Sequence, residues 1–228
     1  MNLYLIEEAQ SPPAAPLLTL DEAKRTLRVD HDDEDAEIAE MVAEATDRCE
    51  QYARRAFVAR PFLLTLDRFP RAGSPDAWQV QDGDAWPPRF GNLSAPAAFP
   101  QAIPLPGGEL RSLTAVRYAQ AELDDAGALV WVTADPETYR VAAGWPARLV
   151  PLPGQCWPAT AATPAAVEVR YIAGYGLPAA VPASIRRAVK LTLGTFYEHR
   201  EDVITGTIAT ELPMAAERLL APYRMFRA

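Results

Sequence analysis

The sequence is poor in the residues that most site chemistry needs. It has two cysteines and two histidines in 228 residues. Cys49 and Cys156 form no CxxC pair, and their spacing gives neither a metal site nor a disulfide framework, which fits a reduced, cytoplasmic setting. Positive charge is short as well: 22 Lys and Arg against 30 Asp and Glu leave a net charge of −8 and a pI near 4.9. Such a surface repels a phosphate backbone, so the electrostatic footprint of a nucleic-acid binder is missing. It suits an acidic wall past which DNA slides without being gripped. No apolar run approaches the roughly 18–20 residues of a membrane span, so no membrane association is expected. Met1–Gln10 carries Glu7 and Glu8 and no basic lead, which predicts no signal peptide. The expectation is a protein soluble in the cell that makes it, or part of a soluble particle.

What is present is an ordinary core-forming composition, 49% hydrophobic and 23% charged, in a chain long enough for one domain or two small ones. Thr19-Leu20-Asp21-Glu22 reads as a capping box opening a short helix, about Leu20 to Leu27. The acidic run Asp30–Asp35 precedes a long helix from about Asp33 to Arg55. On it Ile38, Met41, Val42, Ala45, Cys49, Tyr52 and Ala53 recur at steps of mostly three and four. Pro61 ends that pattern. Phe62, Leu64 and Leu66 alternate with polar residues as a strand would. Residues 71–101 then turn Pro-, Gly- and Ala-rich around Trp78, Trp86 and Phe90, and predict a long loop or excursion.

Strand signals resume at Leu110–Tyr118, Leu129–Thr133, Thr138–Ala142 and Val167–Ile172, with Asp124-Asp125-Ala126-Gly127 as a turn. A helix beginning at Pro182 and running to about Glu201 carries Ile185, Ala188, Val189, Thr192 and Phe196 on one face. A short one follows at Met214–Leu220. The fold class is α+β: a small helical bundle made by the N- and C-terminal helices (17–60 and 178–228), with an inserted, mainly antiparallel β region (61–177).

Candidate chemistry is thin. Asp30–Asp35 has Asp35 where a calcium loop needs its sixth-position glycine, and reads better as charge favouring a helix start. His199, in Tyr197-Glu198-His199-Arg200-Glu201, matches neither HExxH nor a serine-hydrolase frame, and Ser74 and Ser184 lack GxSxG. Gly174-Tyr175-Gly176 has no third glycine and no GK[ST] ending, so it reads as a turn. No catalytic residue, cofactor or metal site is assigned. Cys156-Trp157-Pro158 reads as a Trp in a β core. Trp78 and Trp86 divide evenly between interface anchors and local packing, and Trp131 and Trp145 are further anchor candidates. The end of the chain, with Leu219, Leu220, Tyr223, Arg224, Met225 and Phe226, is apolar, aromatic and basic. It reads as offered to a partner somewhat more than docked on its own fold.

Several stretches together carry a resemblance. They are Leu20-Asp21-Glu22-Ala23-Lys24 with Leu27–Asp35, Leu66-Asp67-Arg68-Phe69-Pro70, Ile103-Pro104-Leu105-Pro106 and Val169–Gly176. Further on come Val181–Ala188, Phe196–Glu201, Glu211-Leu212-Pro213 and Leu219–Arg224. In their order and spacing, from about Leu17 to Arg224, they resemble the head–tail connector (adaptor) proteins of long-tailed bacteriophages and gene transfer agents. The stretch 71–101 is longer and more Pro-rich than that family leads one to expect.

The resemblance implies a structural ring of about twelve copies between the portal vertex of a capsid and the tail. A portal protein would lie on one side and a stopper or tail terminator on the other, with DNA passing through without sequence-specific binding. It implies no catalysis and no cofactor. Made in the host cytoplasm, the protein would reside at the head–tail interface of a virion or gene transfer agent particle. Within this reading the C-terminal Leu219, Leu220, Tyr223, Arg224, Met225 and Phe226 are the expected portal contact. Ile38, Met41, Tyr52, Ile185, Val189 and Phe196 are expected to pack subunit against subunit. Two other classes stand beside it: a tail-tip or decoration module holding a receptor or glycan, and a small hydrolase using His199.

Overall fold

A computed structural model describes residues 4–6, 15–71, 101–144, 146–199 and 212–224. The excursion at 72–100, with Trp78 and Trp86, lies outside the described residues, as do Trp145, Met225 and Phe226. Four helices and eight strands are described: β1 (Tyr4–Ile6), α1 (Leu20–Leu27), α2 (Asp35–Ala53), β2 (Arg60–Leu66), β3 (Ile103–Leu105), β4 (Leu110–Leu123), β5 (Leu129–Thr133), β6 (Tyr139–Ala142), β7 (Ala147–Pro151), β8 (Val167–Ala173), α3 (Ala183–Glu198) and α4 (Met214–Leu220). The fold is α+β, with helices from both ends of the chain meeting around a central antiparallel β region.

The helical core assembles from the predicted stripes. Ile38, Val42, Ala45, Cys49 and Ala53 of α2 meet Ile185, Ala188, Val189 and Leu193 of α3, and Ala216 and Leu220 of α4 close the cluster. The capping box at α1 forms: Glu22 N–H donates to Thr19 Oγ1 and Thr19 N–H to Glu22 Oε2, both at 3.3 Å. Glu22 also takes Arg186 Nη2 at 2.6 Å, tying α1 to α3. Tyr197 donates to Glu34 Oε2 at 2.9 Å and ties the end of α3 to the start of α2. Where a long helix from Asp33 to Arg55 was expected, α2 is two residues shorter at each end, and Pro182 caps α3 from outside its first turn.

The β region holds two sheets, ordered β1-β2-β8-β4-β5 and β3-β7-β6, with every neighbouring pair antiparallel. Pro61 does not precede the strand but lies inside β2, past the end of the short β1, where a missing amide is tolerated. Strand β4 carries two bulges against β8, between Leu110 and Ser112 and between Leu113 and Ala115. Its core-facing residues are therefore Leu110, Leu113, Val116 and Tyr118, at steps of three, three and two, opposite Ala173, Tyr171, Val169 and Val167. Trp157 lies partly buried in this core, as its sequence context suggested. It stacks on Phe69 with centroids 4.7 Å apart and donates its indole N–H to the Gln101 carbonyl at 2.8 Å.

The two cores meet at a junction made of residues 50–60, 107–109 and 174–176. Backbone bonds cross it: Ala56 N–H to Gly107 O, Ala59 N–H to Gly176 O and Tyr175 N–H to Phe57 O, at 2.8–2.9 Å. Gly174, at φ +127°, comes so close that a Cβ there would lie 2.7 Å from the Val58 carbonyl oxygen. Buried charge fills the same place. Glu50, 3% exposed, accepts from the Phe57 amide at 2.7 Å and from Arg60 Nη2 at 2.8 Å. Burial pushes the Glu50 carboxyl above its ordinary range, against the pull of Arg60 and the Phe57 amide. Arg55 has no exposed surface and donates to the Tyr175 hydroxyl.

Gly174→Ala is expected to cost about 2–4 kcal/mol of unfolding free energy, from a positive φ and a backbone clash together. Glu50→Ala is expected to cost about 3 kcal/mol, because it takes the acceptor from a buried amide and the carboxylate from Arg60. Chemical denaturation of the purified variants measures both. Cys49 is fully buried against the Thr192 hydroxyl at 3.5 Å, and burial pushes its thiol up to about 12, whereas Cys156 is exposed. A thiol-reactive dye at neutral pH should therefore label one cysteine in the native protein and two in denaturant.

Candidate functional site

Several residues that sequence reading weighed for chemistry are engaged structurally, and Ser74 lies outside the described residues. Asp32 and Asp35 hold Lys24 at 2.5 and 2.8 Å, and this pairing raises the lysine pKa and lowers that of Asp32. No cluster of three or more metal-ligating side chains occurs among the described residues. His31 lies 4.0 Å from Asp33, exposed, and His199 caps the end of α3. Gly174-Tyr175-Gly176 is consumed by the junction. Among the described helices none is long and apolar enough to cross a membrane.

What the molecule offers instead is surface, and its outward residues differ from those the sequence suggested. Ile38, Ile185 and Val189 have no exposed area, and Met41, Tyr52 and Phe196 pack partly buried against the same core. The helical stripes expected to join subunits thus fill the interior of one chain, because two helices from opposite chain ends use each other as the partner. The C-terminal segment is likewise docked on its own fold as far as Arg224. Leu220 is fully buried, and Leu219 and Tyr223 pack on the helical core. The Arg224 guanidinium lies 4.9 Å over the Tyr52 ring. Of the expected portal-contact residues, Leu220 thus has no surface to give, while Tyr223 and Arg224 stay half-exposed.

Two surfaces stand out in their place. The first is the tip of the β4–β5 hairpin. Every residue from 121 to 129 is exposed, and Leu123, 58% exposed, pairs across the hairpin with Leu129. Its turn is pinned by Asp124 Oδ1, which accepts the amides of Ala126 at 2.9 Å and Ala128 at 2.7 Å. Glu122, Asp124 and Asp125 surround the leucines, and no Lys or Arg occurs between Tyr118 and Tyr139. Behind the tip, β5 is the edge strand of its sheet, and Trp131 on it lies under the Arg117 guanidinium at 5.6 Å.

The second surface is the outer side of α4. Ala216 and Leu220 turn inward, which leaves Met214, Ala215 and Arg218 outward and exposed, continued by Ala221 and Pro222. Met214 is 70% exposed. On α2, by contrast, the outward face interleaves Glu37, Glu40 and Glu44 with the small Ala36, Ala39 and Ala43. Two leucines flanking a DDAG turn, and a methionine out of phase with Ala216 and Leu220, were the signals in the sequence that could have marked these surfaces.

No family model matches the sequence, and no curated protein matches it. Solved structures do match along its whole length. A chain in the neck of an empty gene transfer agent particle, computed with C6 symmetry, aligns over 99% of this chain and 97% of its own with a TM-score of 0.68 at 21% identity. A chain in the virion of a native gene transfer agent particle gives 98%, 96%, 0.67 and 21%. One in the neck of a native particle computed with C12 symmetry gives 99%, 97%, 0.61 and 22%. From end to end, the chain is built on a fold found in gene transfer agent particles and their necks.

Proposed function

We propose that the chain is a head–tail connector subunit. It forms a ring between the portal vertex of a capsid and its tail, with DNA passing through the central channel. The observation that carries this reading is the full-length likeness to chains in gene transfer agent necks, two of them computed with C6 and C12 symmetry. Its role is structural and not enzymatic. The helical core, residues 17–60 and 178–228, is the connector body, and residues 61–177 are an inserted β region.

Physical features support the reading. A net charge of −8 and the outward Glu37, Glu40 and Glu44 of α2 suit a wall that does not grip a phosphate backbone. The portal protein is the head-side partner and a stopper or tail terminator the tail-side one. Tyr223 and Arg224, half-exposed at the end of the described chain, are the portal contact together with Met225 and Phe226. About twelve copies make the ring, one for each chain of a twelvefold portal.

Co-sedimentation with assembled portal rings from the same genome, followed by mass measurement, tests this. The expected result is a saturable complex with about one subunit per portal chain. Removing Met225–Ala228, which spares the buried Leu220, should weaken it at least about tenfold, equivalent to about 1.4 kcal/mol. A folded protein that fails to bind the portal would overturn the proposal and favour a receptor- or glycan-binding module.

A further inference from the structure

We infer that neighbouring copies of this chain join head to tail, the β4–β5 hairpin tip of one seated on the outer face of α4 of the next. The inference rests on the ring reading, since a closed ring needs two different and complementary surfaces on each subunit. The two surfaces described above have the required properties.

Their chemistry is complementary. The tip presents Leu123 and Leu129 within an acidic rim of Glu122, Asp124 and Asp125. The α4 face presents Met214 and Ala215 beside the exposed cation Arg218, with Glu217 half-buried next to it. Each apolar spot alone is small, and together they exclude water from both. The opposed charges fix the register and discourage tip-to-tip contacts, where three carboxylates would face three.

Their placement is complementary too. Strand β4 starts at Leu110, next to the junction where the helical core begins, and runs away from it to Leu123. Allowing for its bulges, β4 still carries the tip about 30 Å from the junction at the usual rise. Neither β4 nor β5 packs substantially on a helix of its own chain, so the tip remains available to a second one. The contact so made is heterologous, and repeating it propagates in one direction around a ring. The tip is also held for such a role, because Asp124 pins the turn and little ordering cost is left for assembly.

Disulfide trapping on the full chain bound to portal rings tests this. Both partners carry Cys156→Ser, which removes the exposed native thiol. One chain carries Ala126→Cys at the tip and the other Ala215→Cys on α4. The expected result is a disulfide-linked pair in the mixture and none with either variant alone. In a second test Leu123→Asp with Leu129→Asp, at positions exposed enough to leave the fold intact by circular dichroism, should abolish the pair. Portal-bound chains that yield no mixed pair, or an Ala215→Cys chain that links to the portal instead, would overturn the contact while the ring reading stands. A mixed pair that forms without any portal binding would keep the contact and remove the portal. Absence of both would overturn both.

Discussion

A buried carboxylate and a buried guanidinium, set five residues apart in the chain, hold the two halves of this molecule in one arrangement. Glu50 closes the last turn of α2 and Arg55 follows its end, and both are enclosed. Each would be costly alone. Their partners come from elsewhere in the chain: Arg60 and the Phe57 amide for Glu50, the Tyr175 hydroxyl for Arg55. To satisfy them, the end of α2, the start of β2 and the loop after β8 must converge. Gly174 allows it by giving the backbone room to approach Val58 and Ala59. Polar groups of this kind add little net stability but penalise every arrangement in which they are not met. The direction in which the β region leaves the helical core is set here.

The helices were legible because their burial is one-sided and long enough to repeat. On α2 the buried set Ile38, Val42, Ala45, Cys49 and Ala53 is a stripe that any helical period reveals. Strands β2 and β8 were legible for the same reason at a period of two. Strands β1, β3 and β7 were not, because three to five residues, for β3 and β7 beside prolines, carry no period. Strand β4 gives a subtler case. Its bulges space the core residues by three, which imitates a helix, and only the β-branched and aromatic residues around them argue for a strand.

The site was less legible than the fold. A stripe of apolar residues says that something covers it, and not whether the cover is the same chain or another. Leu220, Ile38 and Ile185 have the composition of an interface and lie inside the subunit, since α3 and α4 return from the other end of the chain to meet α2. Exposed residues such as Met214 and Leu123 are visible only once the fold has claimed their neighbours. Composition did speak for the exterior as a whole: a surplus of carboxylates on outward helix faces follows directly from the net charge.

The paired bulges of β4 reach further than their own hydrogen bonds. Between Leu110 and Tyr118 the strand spends eight steps while β8 spends six between Ala173 and Val167. Over that span one strip of the sheet is longer than the strip bonded to it, by about 7 Å of chain at the usual rise. A ribbon with one long edge cannot lie flat and must curl away from that edge. The hairpin beyond is therefore aimed by surplus length stored in its root, much as a bimetallic strip is aimed by unequal expansion, and its heading is decided before the chain reaches the turn.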